Sequence, residues 1–357
     1  MKILLFIDSL GSGGAQRQMV ELALGFQEKG HTVSFLTYHN LNFFKSQLGE
    51  NIPVVTIIEP NYFKRILKFR RYIRKNNFDT VISFLSGPCF ISSIAALPFK
   101  KWKLIVGERS SNPLILKSLK GRAFRFMHFF ADYVVANSHT NIDMVKKANP
   151  FLSSKKCKII YNIVDLNKWK PKENYLPFEN GKLNIIIASS HQRLKNFNAL
   201  IEGVNLLNSD EQNKLKIDWY GEVLDDSYTD SIKKIEKYNL NHIFNLFEPT
   251  PQIHEKMKMY DVVGLFSFYE GLPNAVCEGM ASSKIVIASN VSDNKLLLKS
   301  TDYIIDPYRP ETITDSIRKL LSLDKSKIKE IGSNNRNFSE QLFDREKILN
   351  EYLELMK

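Results

Sequence analysis

Three short segments of the chain carry residues whose types and spacing could bind a phosphorylated ligand and act on it. The first is the glycine-rich loop Gly11-Ser12-Gly13-Gly14, which separates an apolar run from an amphipathic stretch of helical period. Small residues let backbone N–H groups approach a phosphate or sugar oxygen, and a following helix N-terminus favours negative charge. A tight strand-to-helix turn without a ligand is the alternative. A dinucleotide fingerprint would need glycine in place of Gln16 and an acidic residue after the second strand, and both are missing.

The second segment is the basic stretch His191-Gln192-Arg193-Leu194-Lys195-Asn196, which follows a predicted strand. Arg193 and Lys195 could neutralise a diphosphate, the arginine as a bidentate fork and the lysine as a point charge. A solvated basic loop is the alternative interpretation.

The third segment holds two carboxylates, Glu270 and Glu278, on either side of a predicted helix start. Pro273 suits the first turn of a helix, and Gly271 frees the backbone just before it. At a rise of about 1.5 Å per residue, Glu278 lies one to two turns into that helix. The two carboxylates are therefore expected to serve different parts of one ligand, unless they only complement the helix dipole.

The elements that must position these segments alternate between strands and helices. Apolar runs predict strands at 2–7, 31–37, 54–58, 80–84, 103–106, 133–136 and 157–160, and again at 183–188, 216–220, 262–265, 285–288 and 303–305. This alternation predicts α/β architecture with two doubly wound, mostly parallel sheets. Ligands bind such sheets at the carboxyl ends of the strands, so two facing sheets would form a cleft. The expected domains are residues 1–165 and 183–335, joined by a linker at 166–182, with a C-terminal helix at 336–357 that packs back on the first domain.

Composition limits the class of protein. The 357 residues are 43% hydrophobic and 25% charged, which excludes a disordered, collagen-like or disulfide-stapled chain. Three scattered cysteines predict free thiols in a reducing compartment. Residues 81–99 carry no charge and could span a bilayer, but Gly87-Pro88 and Pro98 favour a strand, a turn and a buried helix. No signal peptide is visible, so we expect a cytoplasmic protein.

Positive charge is concentrated in the first half of the chain. Residues 1–165 hold 24 Lys and Arg against 10 Asp and Glu, whereas the remainder holds 26 against 28. Basic residues alternate with large apolar ones in two stretches, a pattern that suits an anionic membrane surface. Two ordinary helices with solvated basic faces are the alternative. We expect peripheral attachment to the inner face of the cell membrane through Lys64, Arg65, Lys68, Arg71, Lys75, Lys117, Lys120, Arg122 and Arg125.

Taken together, these segments resemble the retaining nucleotide-sugar glycosyltransferases of family four. The resemblance rests on residues 8–18, on Lys195-Asn196, and on residues 270–289, where Gly-Leu-Pro-Asn follows the first glutamate of a Glu-x7-Glu spacing. It covers essentially the whole chain and implies the GT-B fold, two Rossmann-like domains facing across a cleft. Residues 105–113 and 290–294 further resemble members that build bacterial surface glycans on lipid carriers.

The resemblance also implies site roles. Catalytic roles fall to Lys195, Glu270, Arg193 and Glu108, and acceptor-side positions to Arg109 and Ser110, with Asn162 at the hinge. Donor-binding positions are Gly13, Gly14, Lys195, Gly271, Leu272, Pro273, Asn274 and Glu278. Three positions depart from the family pattern: Gln16 replaces a glutamate, Ser283 replaces a glycine, and the usual arginine falls on Ser189 or Ser190.

The implied activity is transfer of a hexose or N-acetylhexosamine from a nucleotide sugar, UDP by family habit, to a lipid-linked glycan with retention of configuration. Capsule, O-antigen or related glycan synthesis would be the setting. No Asp-x-Asp-type metal site stands out, so we expect protein cations in place of a metal and no cofactor. A nucleotide-sugar epimerase of the same fold is the main alternative. A nucleic-acid-binding protein is a distant one, because no reader module accompanies the basic charge.

Overall fold

Apolar runs of the sequence become buried strands of two separate parallel sheets. The structure, a computed structural model, describes residues 1–357. The chain divides into one unit formed by Met1–Ile163 with Arg345–Lys357 and a second unit formed by Val164–Asp344. Each unit contains one sheet and its own apolar core.

The first unit is built on a seven-stranded sheet of order β3-β2-β1-β4-β5-β6-β7. Its strands are β1 Lys2–Phe6, β2 Thr32–Thr37, β3 Val54–Thr56, β4 Thr80–Phe84, β5 Lys103–Glu108, β6 Tyr133–Ala136 and β7 Cys157–Ile159. Its first six helices are α1 Gly14–Glu28, α2 Tyr62–Lys75, α3 Ser86–Ala95, α4 Leu114–Lys117, α5 Leu119–Phe126 and α6 His139–Ala148. Ile3 and Leu5 pack into one core cluster and Leu4 and Phe6 into another. A strand covered on both faces must be apolar where it is buried, as β1 is from Ile3 to Phe6.

The second unit is built on a six-stranded parallel sheet of order β10-β9-β8-β11-β12-β13. The strands are β8 Leu183–Ala188, β9 Leu215–Tyr220, β10 Phe244–Phe247, β11 Val262–Leu265, β12 Ile285–Ser289 and β13 Ile304–Ile305. The helices are α7 Phe197–Asn205, α8 Ser209–Asn213, α9 Ser227–Lys237, α10 Ile253–Met257, α11 Asn274–Ala281, α12 Asn294–Leu298, α13 Pro310–Leu321 and α14 Lys325–Leu342.

Helix α15 (Arg345–Met356) belongs to the first unit although it follows the second unit in the sequence. Ile348, Leu349 and Tyr352 are buried in the same cluster as β1 and α1. The Tyr352 ring meets Phe26 edge-on with 6.3 Å between the ring centroids. Arg345 pairs with Glu28 at the surface. Burial of three large side chains makes α15 a structural part of this unit.

The predicted fold class of two Rossmann-like parallel sheets is confirmed. The uncharged stretch 81–99 forms most of β4 and all of α3, and none of the helices combines the length and apolar character that a membrane crossing needs.

Strand β10 was not predicted. It is an edge strand that carries the polar Asn245, whose amide donates to Asp218 of β9 at 2.7 Å, so its apolar pattern is broken.

Gly221 allows the loops after β8 and β9 to approach each other. A Cβ atom at this position would lie 1.9 Å from the carbonyl oxygen of Ser189. That oxygen also accepts a 2.7 Å hydrogen bond from Trp219 Nε1, which fixes it in place. The loop that carries Lys195 therefore depends on the absence of a side chain at Gly221.

Gly221→Ala is expected to lower the free energy of unfolding by about 1–3 kcal/mol, because the added carbon overlaps a backbone oxygen that cannot move aside. Denaturant-induced unfolding measures the loss. Gly11→Ala is the control, since a Cβ there would meet nothing closer than 3.4 Å. Equal stability of the two variants would contradict the close approach.

Candidate functional site in the second unit

Lys195 and Glu270, predicted from separate segments, form an ion pair in the second unit. Lys195 Nζ lies 2.6 Å from Glu270 Oε1, and the two side chains are only 17% and 15% exposed. The hydroxyl of Ser267 donates to the same carboxylate oxygen at 2.7 Å. Lys195 ends a short 3₁₀ turn, Arg193–Lys195, that follows β8, and Glu270 lies in the loop after β11. Strands β8 and β11 are parallel neighbours, so their carboxyl ends bring the two loops together.

The two loops are also joined through their backbones. The amide of Phe268 donates to the carbonyl of Leu194 at 3.0 Å. This bond lies one residue from Lys195 and two from Glu270, and it limits how far the cation and the carboxylate can separate.

Helix α11 begins directly after the Glu270 loop. Pro273 occupies its N-cap and Asn274 its first position, so the proline precedes the helix instead of lying in its first turn. The Ser292 hydroxyl donates to the carbonyl of Gly271, which ties the loop after β12 to this turn. Leu272 is buried, and Glu278 is buried one turn into the helix. Helix α11 therefore presents its first amides at its amino end, and Glu270 lies in the loop directly before that end.

Arg193 occupies a different environment from Lys195. Its side chain is exposed, and its backbone amide donates to Asp225 Oδ2 at 2.8 Å. The carboxylate holds the 3₁₀ turn at its amino end. The predicted catalytic role of Arg193 stays a prediction.

His191 is a buried aromatic support of the same loop. It stacks on Trp219 with ring centroids 5.1 Å apart and meets Tyr228 at 4.9 Å. Burial lowers the pKa of His191 from 6.5 to about 4. The imidazole is therefore neutral at physiological pH and contributes packing below the Lys195 turn.

In the first unit, Gly13 is the N-cap of α1 and Gly14 its first residue, and both are exposed. Gln16, which stands where the resembling family has glutamate, donates its side-chain amide to Asp8 Oδ1 at 2.9 Å. A Cβ on Gly13 would lie 2.2 Å from the Gln16 side-chain oxygen. The loop therefore uses Gln16 to bind the end of β1.

Glu108 ends β5 and is fully engaged inside the first unit. Its Oε2 accepts hydrogen bonds from Arg125 Nε and Nη2 at 3.1 and 2.8 Å, and His128 Nε2 lies 3.5 Å from Oε1. Burial alone would raise the pKa of Glu108, but the hydrogen bond from His128 and the charge of Arg125 outweigh it and hold the pKa below its usual value. The buried carboxylate is charged and paired, and its predicted catalytic role stays a prediction.

The expectation that Arg125 faces a membrane is wrong. Arg125 is only 2% exposed, and its guanidinium pairs with the buried carboxylate of Glu108. The sequence of α5 shows Arg125 only as a cation among aromatic residues. Its buried partner, Glu108, lies 17 residues earlier in the sequence, so the local pattern does not indicate the pairing.

Arg109 and Ser110, predicted on the acceptor side, follow Glu108. The Arg109 guanidinium donates to Asn162 Oδ1 at 3.2 Å and to the Tyr352 hydroxyl, and it lies 3.9 Å from the Phe84 ring centroid. Arg109 therefore joins Asn162, near the end of the segment Met1–Ile163, to helix α15 of the same unit. Ser110 is exposed, and its hydroxyl accepts a hydrogen bond from the Asn112 amide at 3.4 Å.

Comparison with known families gives two adjacent matches. The family described as "Glycosyltransferase Family 4" matches residues 12–168, and the family described as "Glycosyl transferases group 1" matches residues 169–338. The boundary between the two matches lies close to the boundary between the two units.

Two bacterial enzymes are similar over nearly the whole chain. The N-acetylgalactosamine-N,N'-diacetylbacillosaminyl-diphospho-undecaprenol 4-alpha-N-acetylgalactosaminyltransferase of Campylobacter jejuni is 25% identical over 99% of each chain. The amylovoran biosynthesis glycosyltransferase AmsD of Erwinia amylovora is 22% identical over 90% of each chain.

Solved structures share the fold at lower identity. Anabaena Alr3699/HepE in complex with UDP and glucose has a TM-score of 0.84 and 18% identity, over 99% of this chain and 98% of that one. A glycosyltransferase from Rickettsia africae has a TM-score of 0.81 and 17% identity, over 100% and 98%. The predicted GT-B fold is confirmed by these likenesses.

His191 should make the second unit sensitive to acid. Because its folded pKa of about 4 lies below the ordinary 6.5, the folded state binds fewer protons than the unfolded state between these values. Stability is therefore lost as the pH falls from 6.5 to 4, by roughly 3 kcal/mol at 1.36 kcal/mol per pKa unit. Unfolding of wild type and His191→Phe at pH 7 and pH 4.5 measures the difference, with the exposed His242→Gln as control. Identical pH slopes for wild type and His191→Phe would contradict it.

Proposed function

We propose that this glycosyltransferase, whose two halves belong to the families described as "Glycosyltransferase Family 4" and "Glycosyl transferases group 1", transfers a hexose or N-acetylhexosamine from a UDP-sugar to a lipid-linked glycan with retention of configuration. The observation that carries this proposal is the Lys195–Glu270 pair at the carboxyl edge of β8 and β11. The loops after β8 and β11 bring together one cation, one carboxylate and the N-terminus of α11.

In this mechanism Lys195 meets the charge of the departing nucleoside diphosphate. Breaking the sugar–phosphate bond places growing negative charge on the β-phosphate. Cations and amides already aimed at that charge give the largest single contribution to such reactions. Lys195 would supply the charge, and the backbone amides of Gly271, Leu272 and Asn274 would supply the hydrogen bonds. We propose that these groups act without a metal ion or cofactor.

The two carboxylates have separate tasks in the proposed complex. Glu270 would accept hydroxyl hydrogen bonds from the transferred sugar, because it lies beside Lys195 in the loop. Glu278 would accept hydrogen bonds from the ribose, one helical turn further along α11. Arg193 is exposed at the entrance of the same turn and would add positive charge to the diphosphate site.

The lipid-linked acceptor is proposed from the relatives and from the surface of the first unit. The Campylobacter jejuni relative is named for a diphospho-undecaprenol acceptor. A protein that acts on such an acceptor works at a membrane surface, and the first unit carries the excess positive charge.

Helices α2 and α5 supply the proposed membrane face. Both pack against α3, and the Phe124 ring of α5 stacks on Phe90 of α3 with centroids 4.3 Å apart. Phe63 of α2 is 77% exposed and Leu119 of α5 is 85% exposed. Exposed cations flank them, namely Lys64, Lys68, Arg71, Lys75, Lys117, Lys120 and Arg122. Apolar side chains among cations suit insertion at an anionic lipid surface, and we propose the inner face of the cell membrane.

Lys195→Ala should lower kcat by about 10²–10³-fold, the usual loss when one donor to a developing anion is removed. The measurement is UDP release from a UDP-sugar with a lipid-diphosphate glycan acceptor. Lys329→Ala, which removes an exposed lysine of the same unit, should retain full activity. Near-normal turnover of Lys195→Ala would refute the role of the lysine.

Replacing both Phe63 and Leu119 by Gln should weaken binding to phosphatidylglycerol vesicles by at least about tenfold, because burying one such side chain is worth roughly 1.5–3 kcal/mol. Co-sedimentation at low and high salt measures the binding. Leu176→Gln is the control, since Leu176 is 67% exposed in the second unit. Absence of wild-type co-sedimentation at low salt would exclude the membrane surface.

A further inference from the structure

Asn196 directly follows Lys195 and joins three loops at the carboxyl edge of the second sheet. We propose that Asn196 is a positioning residue that aims Lys195 at the β-phosphate of the donor. This inference rests on the proposed function of Lys195. It assigns a role in donor recognition to a residue that itself touches no donor atom.

The backbone of Asn196 has a conformation that few residues adopt. Its φ of 58° and ψ of 42° are left-handed, and it separates the 3₁₀ turn Arg193–Lys195 from α7. The left-handed region is costly for most L-residues, and asparagine and glycine accept it most readily. The amides of Lys195 and Asn196 donate to the carbonyls of Gln192 and Arg193 at 2.8 and 3.1 Å, which closes the turn. A residue unable to adopt this conformation would change the direction in which Lys195 leaves the backbone.

The Asn196 side chain is 6% exposed, and its amide group donates two hydrogen bonds to loop carbonyls. Nδ2 donates to Phe266 O at 3.2 Å, at the end of β11, and to Pro307 O at 2.7 Å, after β13. A carboxylate could not donate these bonds, and a hydroxyl could donate only one of them. The position therefore combines a backbone requirement with a requirement for two donors.

The Asn196 bond and the Leu194 bond flank Lys195. Leu194 O accepts from Phe268 N at 3.0 Å, and Asn196 Nδ2 donates to Phe266 O. The turn that carries the lysine is thus tied on both sides to the loop that carries Glu270. The four-carbon stem of lysine has many rotamers, and fixing its origin against the partner loop reduces the number that place Nζ correctly.

A third loop completes the arrangement. The Tyr308 ring follows Pro307 and lies 5.1 Å from the Phe268 ring between centroids. The segment 307–308 therefore binds the Asn196 amide and packs on the Glu270 loop at the same time. Loss of the Asn196 side chain would remove two hydrogen bonds between these loops and leave them joined here by the Leu194–Phe268 bond and the Tyr308–Phe268 ring contact.

The test compares UDP with UMP, because only UDP carries the phosphate that Lys195 is proposed to meet. Isothermal titration of wild type should show a clear preference for UDP, which Lys195→Ala lowers. Asn196→Gly keeps the left-handed backbone and loses both donors, and it should reduce the UDP-to-UMP affinity ratio about tenfold, the equivalent of one to two hydrogen bonds. Affinity for UMP should stay near the wild-type value, which also reports that the site is folded. In the Lys195→Ala background, Asn196→Gly should not reduce the ratio further.

Asn335→Ala is the matched control, since its amide donates to the carbonyl of Lys284 at 2.9 Å, on the amino side of β12. It should leave the ratio unchanged. Asn196→Ser keeps one donor and should give an intermediate ratio, and it serves if the glycine variant does not fold. The inference would be overturned if both Asn196 variants kept the wild-type UDP-to-UMP affinity ratio while Lys195→Ala lowered it. Equal affinity of wild type for UDP and UMP would instead overturn the proposed function.

Discussion

The candidate site depends on one constraint, that all strands of a parallel sheet open their carboxyl ends on the same edge. In the second unit this edge gathers the loops after β8, β11, β12 and β13. Residues 75 positions apart, Lys195 and Glu270, meet there at 2.6 Å. The opposite charges then fix a separation that the backbone alone would leave adjustable. Gly221 lets the loops after β8 and β9 approach each other, and the buried His191 packs beneath the Lys195 loop.

The two units use paired carboxylates in different ways. Glu108 is fully buried and paired with Arg125, so its charge is satisfied inside the unit. Removing either partner would leave an unpaired buried charge, which is costly. Glu270 and Lys195 remain partly exposed, so an incoming anion can compete for the lysine without first opening a core. The difference in exposure separates a structural ion pair from one that a ligand can exchange.

The sequence was sufficient to predict twelve of the thirteen strands, all but β10, because buried parallel strands are continuous apolar runs. β4, β6, β8 and β11 have the bounds that the pattern predicts. It was not sufficient for pairings between distant side chains. Arg125 belongs to the same predicted basic stretch as Lys120, yet Arg125 is the one that pairs with Glu108. Asn196 likewise has no local signal beyond its place after Lys195, because its acceptors lie 70 and 111 residues away.

The discontinuity of the first unit has a consequence for the order of events during synthesis. Met1–Ile163 leaves the ribosome with its α15 site uncovered, and Arg345–Lys357 follows only after the entire second unit. At translation rates of about 5–20 residues per second, this interval lasts on the order of ten seconds or more. Apolar surface around Phe26 stays open to chaperones or to neighbouring nascent chains throughout that time. Completion of the first unit is thereby deferred until α15 has been translated.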